Sequence, residues 1–311
     1  MLTSYPVVFV CEVSLFVKKR KLVTEMNIKI TDVRCQKGDA AFLLDDGKTS
    51  VLYDTGFGFT GYAIAENIKK CLGERQLDYI FLTHSHYDHA LGSAYILRVF
   101  PEARVVAGKY AADVFKRDGA KRVMKELDSK FARNCGIEEY EFLGDELKVD
   151  ITVDDGDFVR AGDMDFRVIN LPGHTNCCVG YYLEKEGLFL SNETLGVYDG
   201  DKTIIPVCLV SLEDTASSVE KVKKLNIRSI VAPHVGLLDA SQTEFFLRNM
   251  KPAFDNMVTD LRGSIKKGLS DEEIVENFKK KYWHGYINEI YPEDAITLNT
   301  SIMIRLIRKE M

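Results

Sequence analysis

The sequence predicts an α/β protein that ends in a helical region. Two stretches made of short β-branched runs and turn residues, residues 27–53 and 151–232, lie on either side of a segment with helical spacing. Between them, a strongly apolar run at residues 79–82 is typical of a buried strand. Beyond Gly236 only helical spacing remains. We therefore expect two similar strand-rich halves followed by a helical appendage.

The individual elements follow from apolar periodicity and from turn residues such as Asp45-Asp46-Gly47. In chain order, we expect strands over residues 28–33, 40–44, 51–53, 79–82, 104–107, 151–153, 158–159, 166–169, 178–183, 188–190 and 229–232. We expect helices over residues 62–72, 88–99, 110–131 (one or two helices), 215–225, 241–266, 271–280 and 292–309. Ser270 and Asp271 supply an N-cap signal for the helix over residues 271–280.

The composition is that of an ordinary globular protein. The chain has 311 residues, of which 46% are apolar, enough for one large domain or two small ones. The net charge is −6, and residues 18–21 form the one long basic stretch, which argues against a nucleic-acid backbone as the main partner.

The seven cysteines are an odd number without a CxxC motif, which argues against a disulfide scaffold and against a thiolate zinc site. This cysteine usage predicts a reducing, cytoplasmic location. Cys177 and Cys178 closely follow a histidine, and we interpret them as small buried hydrophobic residues rather than as metal ligands.

Residues 1–26 are predicted to be an N-terminal extension. Their apolar run, residues 7–17, is interrupted by Glu12 and is too short to span a bilayer. The basic cluster follows this run, whereas a secretory signal carries its positive charge before the apolar region. We expect a non-secretory extension upstream of Met26, with a weak peripheral anchor as the alternative, and the sequence shows no integral membrane segment.

A dense cluster of metal-competent side chains directly follows the predicted strand at residues 79–82. His84, His86, Asp88 and His89 lie within six positions, and imidazole and carboxylate groups suit zinc, iron or manganese. Residues i and i+2 of an extended segment point the same way, so His84 and His86 can face one ion, with Asp88 and His89 facing a second position. A helix N-terminus would also hold Asp88 ionised. The cluster predicts a metal site.

Three further metal-competent residues also follow predicted strands. His174, Glu193 and His234 each lie in a loop directly after a predicted strand, where a rigid sheet can hold a site. Of the six histidines, His284 alone lies outside this set.

With these residues, the chain resembles the metallo-β-lactamase superfamily of metal-dependent hydrolases, whose HxHxDH signature matches residues 84–89. The resemblance covers residues 27–237 and implies an αββα sandwich, two mixed sheets flanked by helices, with the metals at one edge. Residues 238–311 would be a helical appendage packed on the same unit. The implied ligands are His84, His86 and His174 for a first ion, and Asp88, His89 and His234 for a second.

The resemblance also implies roles for two more residues, Asp54 and Glu193. Asp54, in a strand-ending Asp-x-Gly turn, would orient a ligand histidine. The family usually bridges its two metals with the aspartate of a Gly-Asp pair, whereas this chain has Asn192-Glu193 there. The longer Glu193 would either bridge the ions after a shift of its loop or bind one of them. Asp199 and Asp201 are interpreted as turn residues.

The resemblance implies hydrolysis of an ester, thioester, lactone or phosphodiester bond in a small-molecule substrate. Two divalent ions, in the first place zinc and alternatively iron or manganese, would supply hydroxide at neutral pH. Asp88 would pass on a proton. Tyr198, five positions after Glu193, is a candidate for stabilising a developing oxyanion, with a packed core tyrosine as the alternative.

Other functions stay open at this stage. A mononuclear-iron dioxygenase keeps the same HxHxDH run, and a regulator could bind metal without catalysis. The missing secretion signal argues against an antibiotic-degrading lactamase, and the acidic charge argues against a nuclease. Aromatic residues of the C-terminal helices, such as Phe246, Trp283 and Tyr286, would either roof the cleft or dock the helices on the sandwich or on a second subunit, so a homodimer is also open.

Overall fold

The first of two sheets runs in chain order from an antiparallel half into a parallel half. The computed structural model describes residues 28–311, so the predicted N-terminal extension lies outside the described residues. The sheet contains β1 (Lys29–Asp32), β2 (Phe42–Asp45), β3 (Ser50–Tyr53), β4 (Tyr79–Phe81), β5 (Arg104–Gly108) and β6 (Ile151–Val153), side by side in that order. Strands β1 to β3 pair antiparallel, and β3 to β6 pair parallel.

The second sheet is also mixed. The chain continues with β7 (Phe158–Ala161), β8 (Met164–Asn170), β9 (Val179–Leu183), β10 (Leu188–Leu190), β11 (Val197–Tyr198), β12 (Ile204–Ile205), β13 (Ser229–Ala232) and β14 (Gly236–Leu237). The sheet has the spatial order β14-β13-β10-β9-β8-β7, in which β10 and β13 are parallel neighbours, while β11 and β12 form a separate small hairpin.

The helices lie between and after the strands. They are α1 (Gly61–Leu72), α2 (Tyr87–Ala90), α3 (Gly92–Val99), α4 (Lys109–Val114), α5 (Asp118–Asn134), α6 (Leu212–Val222), α7 (Ala240–Lys266), α8 (Asp271–Tyr282), α9 (Ile287–Ile290) and α10 (Glu293–Glu310), with short 3-10 helices at Gly144–Glu146 and Glu193–Leu195. Ser270 caps α8 in a capping box with Glu273, which confirms the N-cap signal. Among the described residues, no helix is both long enough and apolar enough to cross a membrane.

Three apolar layers hold the sandwich together. Between the sheets, the ring of Phe81 lies 4.9 Å from that of Phe166 and 4.7 Å from that of Tyr181, measured between ring centroids. Helices α1 and α3 cover the outer face of the first sheet, and α6 and α7 cover the outer face of the second. Each sheet thus buries both faces, and the predicted αββα architecture is confirmed.

The C-terminal helices form a fourth apolar cluster next to the sandwich. Met257 of α7 packs there with Phe278 of α8 and Ile304 of α10. Phe246, earlier in α7, packs instead against the second sheet together with Tyr182. Because α7 contributes to both clusters, it connects the helical region to the sandwich. The domain division at residues 237 and 238 stays a prediction.

The structure corrects two details of the expected elements. The single helix expected over residues 88–99 is two helices, α2 and α3, which meet at Leu91. Residues 151–153 were assigned to the second strand-rich half, but β6 pairs with β5 and completes the first sheet. Periodicity identifies a strand without specifying its partner, so this pairing is a tertiary property.

Gly92 supports the loop that carries Asp54, and its replacement is expected to destabilise the protein. A Cβ atom at Gly92 would lie 2.0 Å from the Thr55 carbonyl oxygen, so Gly92→Ala must displace backbone. We expect it to lower the free energy of unfolding by about 3 kcal/mol. In the control Gly263→Ala, within α7, the added Cβ meets no atom within 4 Å, and a gain of about 1 kcal/mol is expected. Urea unfolding measures both, and an unchanged midpoint for Gly92→Ala would contradict the prediction.

Candidate metal centre

The predicted ligands converge at one edge of the sandwich. Residues 84–89 follow β4 of the first sheet, whereas His174, Glu193 and His234 follow β8, β10 and β13 of the second. Their ligand atoms fall into two groups, each with all atoms within 4.8 Å of one another. The structure therefore brings together, from both sheets, all seven side chains that were predicted as ligands.

The first group contains His84, His86, His174 and Glu193. His174 Nε2 lies 3.0 Å from His86 Nδ1 and 2.8 Å from Glu193 Oε2. His84 Nε2 lies 3.8 Å from the same carboxylate oxygen. Three imidazole nitrogens and one carboxylate oxygen thus surround a common point, which is a donor set that suits a divalent transition-metal ion.

The second group contains Asp88, His89 and His234. Asp88 Oδ2 lies 3.6 Å from His89 Nε2 and 3.9 Å from His234 Nε2. Glu193 reaches this group too, because its Oε1 lies 3.2 Å from His234 Nε2. Glu193 Oε2, which faces His174, also lies 4.0 Å from His89 Nε2 of the second group, so the carboxylate lies between the two groups.

Hydrogen bonds on the outer ring nitrogens orient four of the histidines. In each, Nδ1 faces an oxygen acceptor, so that Nε2 presents its lone pair to the interior of the site. The four contacts are His84 Nδ1 with Thr83 Oγ1 at 3.0 Å, His89 Nδ1 with Asp54 Oδ2 at 2.8 Å, His174 Nδ1 with the Val207 carbonyl at 2.9 Å and His234 Nδ1 with the Asp39 carbonyl at 3.3 Å.

Whether the site fits a metal ion can be judged from two ring nitrogens in its interior. His84 Nε2 and His89 Nε2 are buried and have no hydrogen-bond partner among the described residues. Buried polar atoms are normally satisfied, and lone pairs that face one another across a small space are satisfied by a cation. The residues present therefore fit a divalent metal ion.

The pKa shifts favour the ligand-competent forms of several groups. Burial, and then the neighbouring His89, holds the pKa of His84 well below its usual value, and burial lowers the pKa of His86 to about 3, so both imidazoles stay neutral. Burial acts to raise the pKa of Glu193, but His174, His234 and His89 together outweigh it and hold the pKa of this carboxyl well below its usual value. The shift at His89 has the opposite direction: burial acts to lower its pKa, but the carboxylates of Asp88 and Asp54 raise it to about 9, which favours the protonated imidazole.

The backbone adopts a left-handed conformation at Asp54 (φ 52°) and at His234 (φ 63°). This conformation is costly for residues other than glycine and is found at functional sites. Asp54 uses it to accept hydrogen bonds from Thr83 N at 2.8 Å and from His89 Nδ1 at 2.8 Å. Asp54 thus contacts both a candidate ligand and the residue that precedes His84.

The structure places the side chain of Tyr198 in the apolar core. Its side chain is 1% exposed, its ring packs against Phe245 and Phe246, and its hydroxyl donates to the Asp201 carbonyl at 2.9 Å. These contacts match the alternative of a packed core tyrosine. Asp199 accepts hydrogen bonds from the backbone of its own turn, as expected for a turn residue. Cys177 and Cys178 are buried.

The C-terminal region places two tyrosines at the site, of which the sequence analysis named only Tyr286, as an aromatic residue that would roof the cleft or dock the helices. The Tyr291 hydroxyl lies 3.3 Å from Glu193 Oε1, and the Tyr286 hydroxyl donates to the His234 carbonyl at 2.7 Å. Arg34 donates to the same carbonyl. No local motif marks either tyrosine, because both act across more than 50 residues of sequence.

The fold and the site define a metal-binding αββα sandwich with its ligands at one edge of the two sheets. A family model described as the metallo-beta-lactamase superfamily matches residues 39–234, more than half of the chain. The chain belongs to the metallo-beta-lactamase superfamily. This membership, together with the cluster of histidines and carboxylates, implies divalent metal binding.

Named relatives and solved structures agree with this assignment. Glyoxylase B2 of Dictyostelium discoideum is 30% identical over 142 residues, 45% of this chain and 44% of the relative. A hydroxyacylglutathione hydrolase of Francisella tularensis subsp. holarctica is 29% identical over 121 residues, 39% of this chain and 34% of the relative. The match thus spans less than half the length of these relatives.

Two solved structures share the fold across most of both chains. A metallo-beta-lactamase family protein from Thermus thermophilus has a TM-score of 0.57 and 20% identity, and covers 85% of this chain and 87% of its own. An archaeal superfamily protein from Sulfolobus tokodaii has a TM-score of 0.56 and 18% identity, and covers 88% of this chain and 93% of its own. Both similarities extend well beyond residues 39–234, so they include part of the helical region.

Proposed function

We propose that this protein is a metal-dependent hydrolase that binds two divalent ions and cleaves the acyl bond of a small thioester. The observation that carries the proposal is the position of the Glu193 carboxylate between the two groups, with Oε2 at 2.8 Å from His174 Nε2 and Oε1 at 3.2 Å from His234 Nε2. A carboxylate in this position can bridge two ions. A mononuclear dioxygenase needs only a subset of the ligands, so the completeness of both groups favours hydrolysis.

The chain's own residues have distinct roles in this proposal. His84, His86 and His174 would hold the first ion, Asp88, His89 and His234 would hold the second, and Glu193 would contribute to both. Ions bound there would act as Lewis acids and lower the pKa of a water molecule. Zinc suits this set of imidazoles and carboxylates, and iron and manganese are the alternatives.

The solvent exposure of the candidate ligands indicates the direction from which a substrate approaches the site. The imidazoles of His84, His89 and His174 are at most 1% exposed, whereas His86 and Asp88 are partly exposed. A substrate therefore reaches the site from the side of residues 86–88. Asp88, with a side chain that is 17% exposed, is the carboxylate on this side, and burial raises its pKa. We assign to the Asp88 carboxylate the uptake and return of a proton during the reaction.

The relatives favour a thioester among the bonds that such a site can hydrolyse. The name of the Francisella relatives specifies hydrolysis of an acylated glutathione, and the Dictyostelium relative is named a glyoxylase. Both matches are partial, so lactones, simple esters and phosphodiesters are the alternatives to exclude.

The test combines elemental analysis with a hydrolysis screen. The purified protein, loaded separately with Zn²⁺, Mn²⁺ and Fe²⁺, is assayed on acyl-thioesters, lactones and p-nitrophenyl phosphodiesters, with chelator-treated protein as the control. We expect two ions per chain and the highest kcat/KM on a thioester. A single bound iron together with oxygen uptake would show an oxygenase instead, and preference for another bond type would refute the thioester assignment.

A further inference from the structure

A short segment of the C-terminal region is attached to the metal centre at several points. We call residues 283–291 the C-terminal strut; it consists of helix α9 with its flanking residues. Ile287 and Ile290 anchor the strut in the apolar cluster of the C-terminal helices, with exposed fractions of 0% and 5%. Glu289 forms an ion pair with Lys37, between β1 and β2. The strut therefore connects the helical region to the sandwich beside the metal centre.

Two phenols of the strut contact the candidate ligands in different ways. Tyr286 donates to the main-chain carbonyl of His234, so it supports the backbone at a residue with positive φ. Tyr291 contacts a side chain instead, with its hydroxyl 3.3 Å from Glu193 Oε1. The indole N–H of Trp283 donates to the Tyr291 carbonyl at 2.7 Å and holds the Tyr291 backbone in place.

Glu193 needs such a contact more than a shorter residue would. A glutamate has one more rotatable bond than an aspartate, and fixing each additional torsion costs entropy. The Glu193 carboxylate bridges the two groups only if Oε1 stays near His234 while Oε2 stays near His174. A donor on the Oε1 side restricts this rotation, and the residue that supplies it is Tyr291.

We propose that Tyr291 is a positioning residue, whose phenol holds Glu193 Oε1 toward His234 and thereby strengthens binding of the second metal ion. The proposal rests on the proposed function, in which Glu193 is the bridging ligand. It makes the C-terminal strut part of the metal centre, although every candidate ligand lies in the sandwich.

The test compares Tyr291→Phe with Tyr182→Phe. The control removes a phenol that donates to the Asn226 carbonyl at 2.7 Å, on the outer face of the second sheet. Metal-free wild-type protein and both variants are titrated with Co²⁺ and followed by visible absorption. We expect the wild type and Tyr182→Phe to bind two ions alike, and Tyr291→Phe to bind the second ion about 10- to 100-fold more weakly.

A second comparison separates positioning from a general effect on the fold. In a Glu193→Asp background the shortened carboxylate no longer reaches the phenol, so adding Tyr291→Phe is expected to change the affinity for the second Co²⁺ less than about twofold. Additive effects of the two substitutions would show that Tyr291 acts without Glu193 and would overturn the proposal.

Failure of the Tyr291 role and failure of the two-ion function give different titration curves. If wild-type protein binds two Co²⁺ ions and Tyr291→Phe matches Tyr182→Phe, the role of Tyr291 is refuted and the proposed function stands. If wild-type protein binds fewer than two Co²⁺ ions, the two-ion function and the role of Tyr291 fail together.

Discussion

Replacement of His86 by alanine is expected to lower kcat/KM by at least about a thousandfold, which corresponds to about 4 kcal/mol of transition-state stabilisation. His86 contributes Nδ1 to the first group, 3.0 Å from His174 Nε2. Its removal leaves two imidazoles and one carboxylate in that group, so one ion should be lost together with activity. Because the His86 side chain is partly exposed, the free energy of unfolding should change little.

The control for this substitution is His284→Ala. His284 is exposed, lies in the C-terminal strut and contacts the Lys281 carbonyl through Nε2 at 3.1 Å. It is the one histidine outside the predicted ligand set, and its removal should leave metal content and kcat/KM unchanged. Metal analysis and thioester hydrolysis are measured on both variants. Full activity of His86→Ala with two bound ions would refute the assignment of the first group.

The second large effect is expected at Glu193. Glu193→Gln keeps the size of the side chain but replaces an ionised oxygen by an amide, so only one oxygen can still bind an ion. We expect the second ion to bind at least about a hundredfold more weakly, with a similar loss in kcat/KM, since changes to groups that merely support a ligand already cost about 10- to 100-fold. Metal titration and hydrolysis rates measure both quantities.

Glu193→Asp is the matched control, because it restores the residue that the family usually has at the bridge. It keeps two ionised oxygens and changes only their reach. We expect it to bind two ions with an affinity between those of the wild type and of Glu193→Gln. If Glu193→Gln kept wild-type affinity for both ions, Glu193 would not be a bridging ligand.

The strands were largely predictable because they depend on local patterns. Apolar runs bounded by turn residues identified every strand of the two sheets except β14, which is two residues long. The two-residue strands β11 and β12 and the helix α9 were also missed, since so few residues show no periodicity. The break between α2 and α3 was missed because the apolar spacing continues across Leu91.

Tyr198 and Tyr291 show the limit of spacing as evidence. Tyr198 lies five positions from Glu193, but β11 pairs with β12 and directs its ring into the core beside α7. Tyr291 lies 98 positions from Glu193 and contacts it. Proximity along the chain therefore did not identify the phenol that contacts Glu193, because the packing of the C-terminal helices decides which tyrosine reaches this carboxylate.

The sequence by itself determined the chemistry that this protein can offer: the side chains of residues 84, 86, 88, 89, 174, 193 and 234 carry donor atoms suited to a metal ion, and their places after strands were visible as local patterns. Tertiary structure decided which ring nitrogen faces inward, that Glu193 lies between the two groups, and that a tyrosine of the C-terminal strut contacts it. These three features depend on contacts between segments that are far apart in the chain. The contacts form only when both sheets and the C-terminal helices have packed.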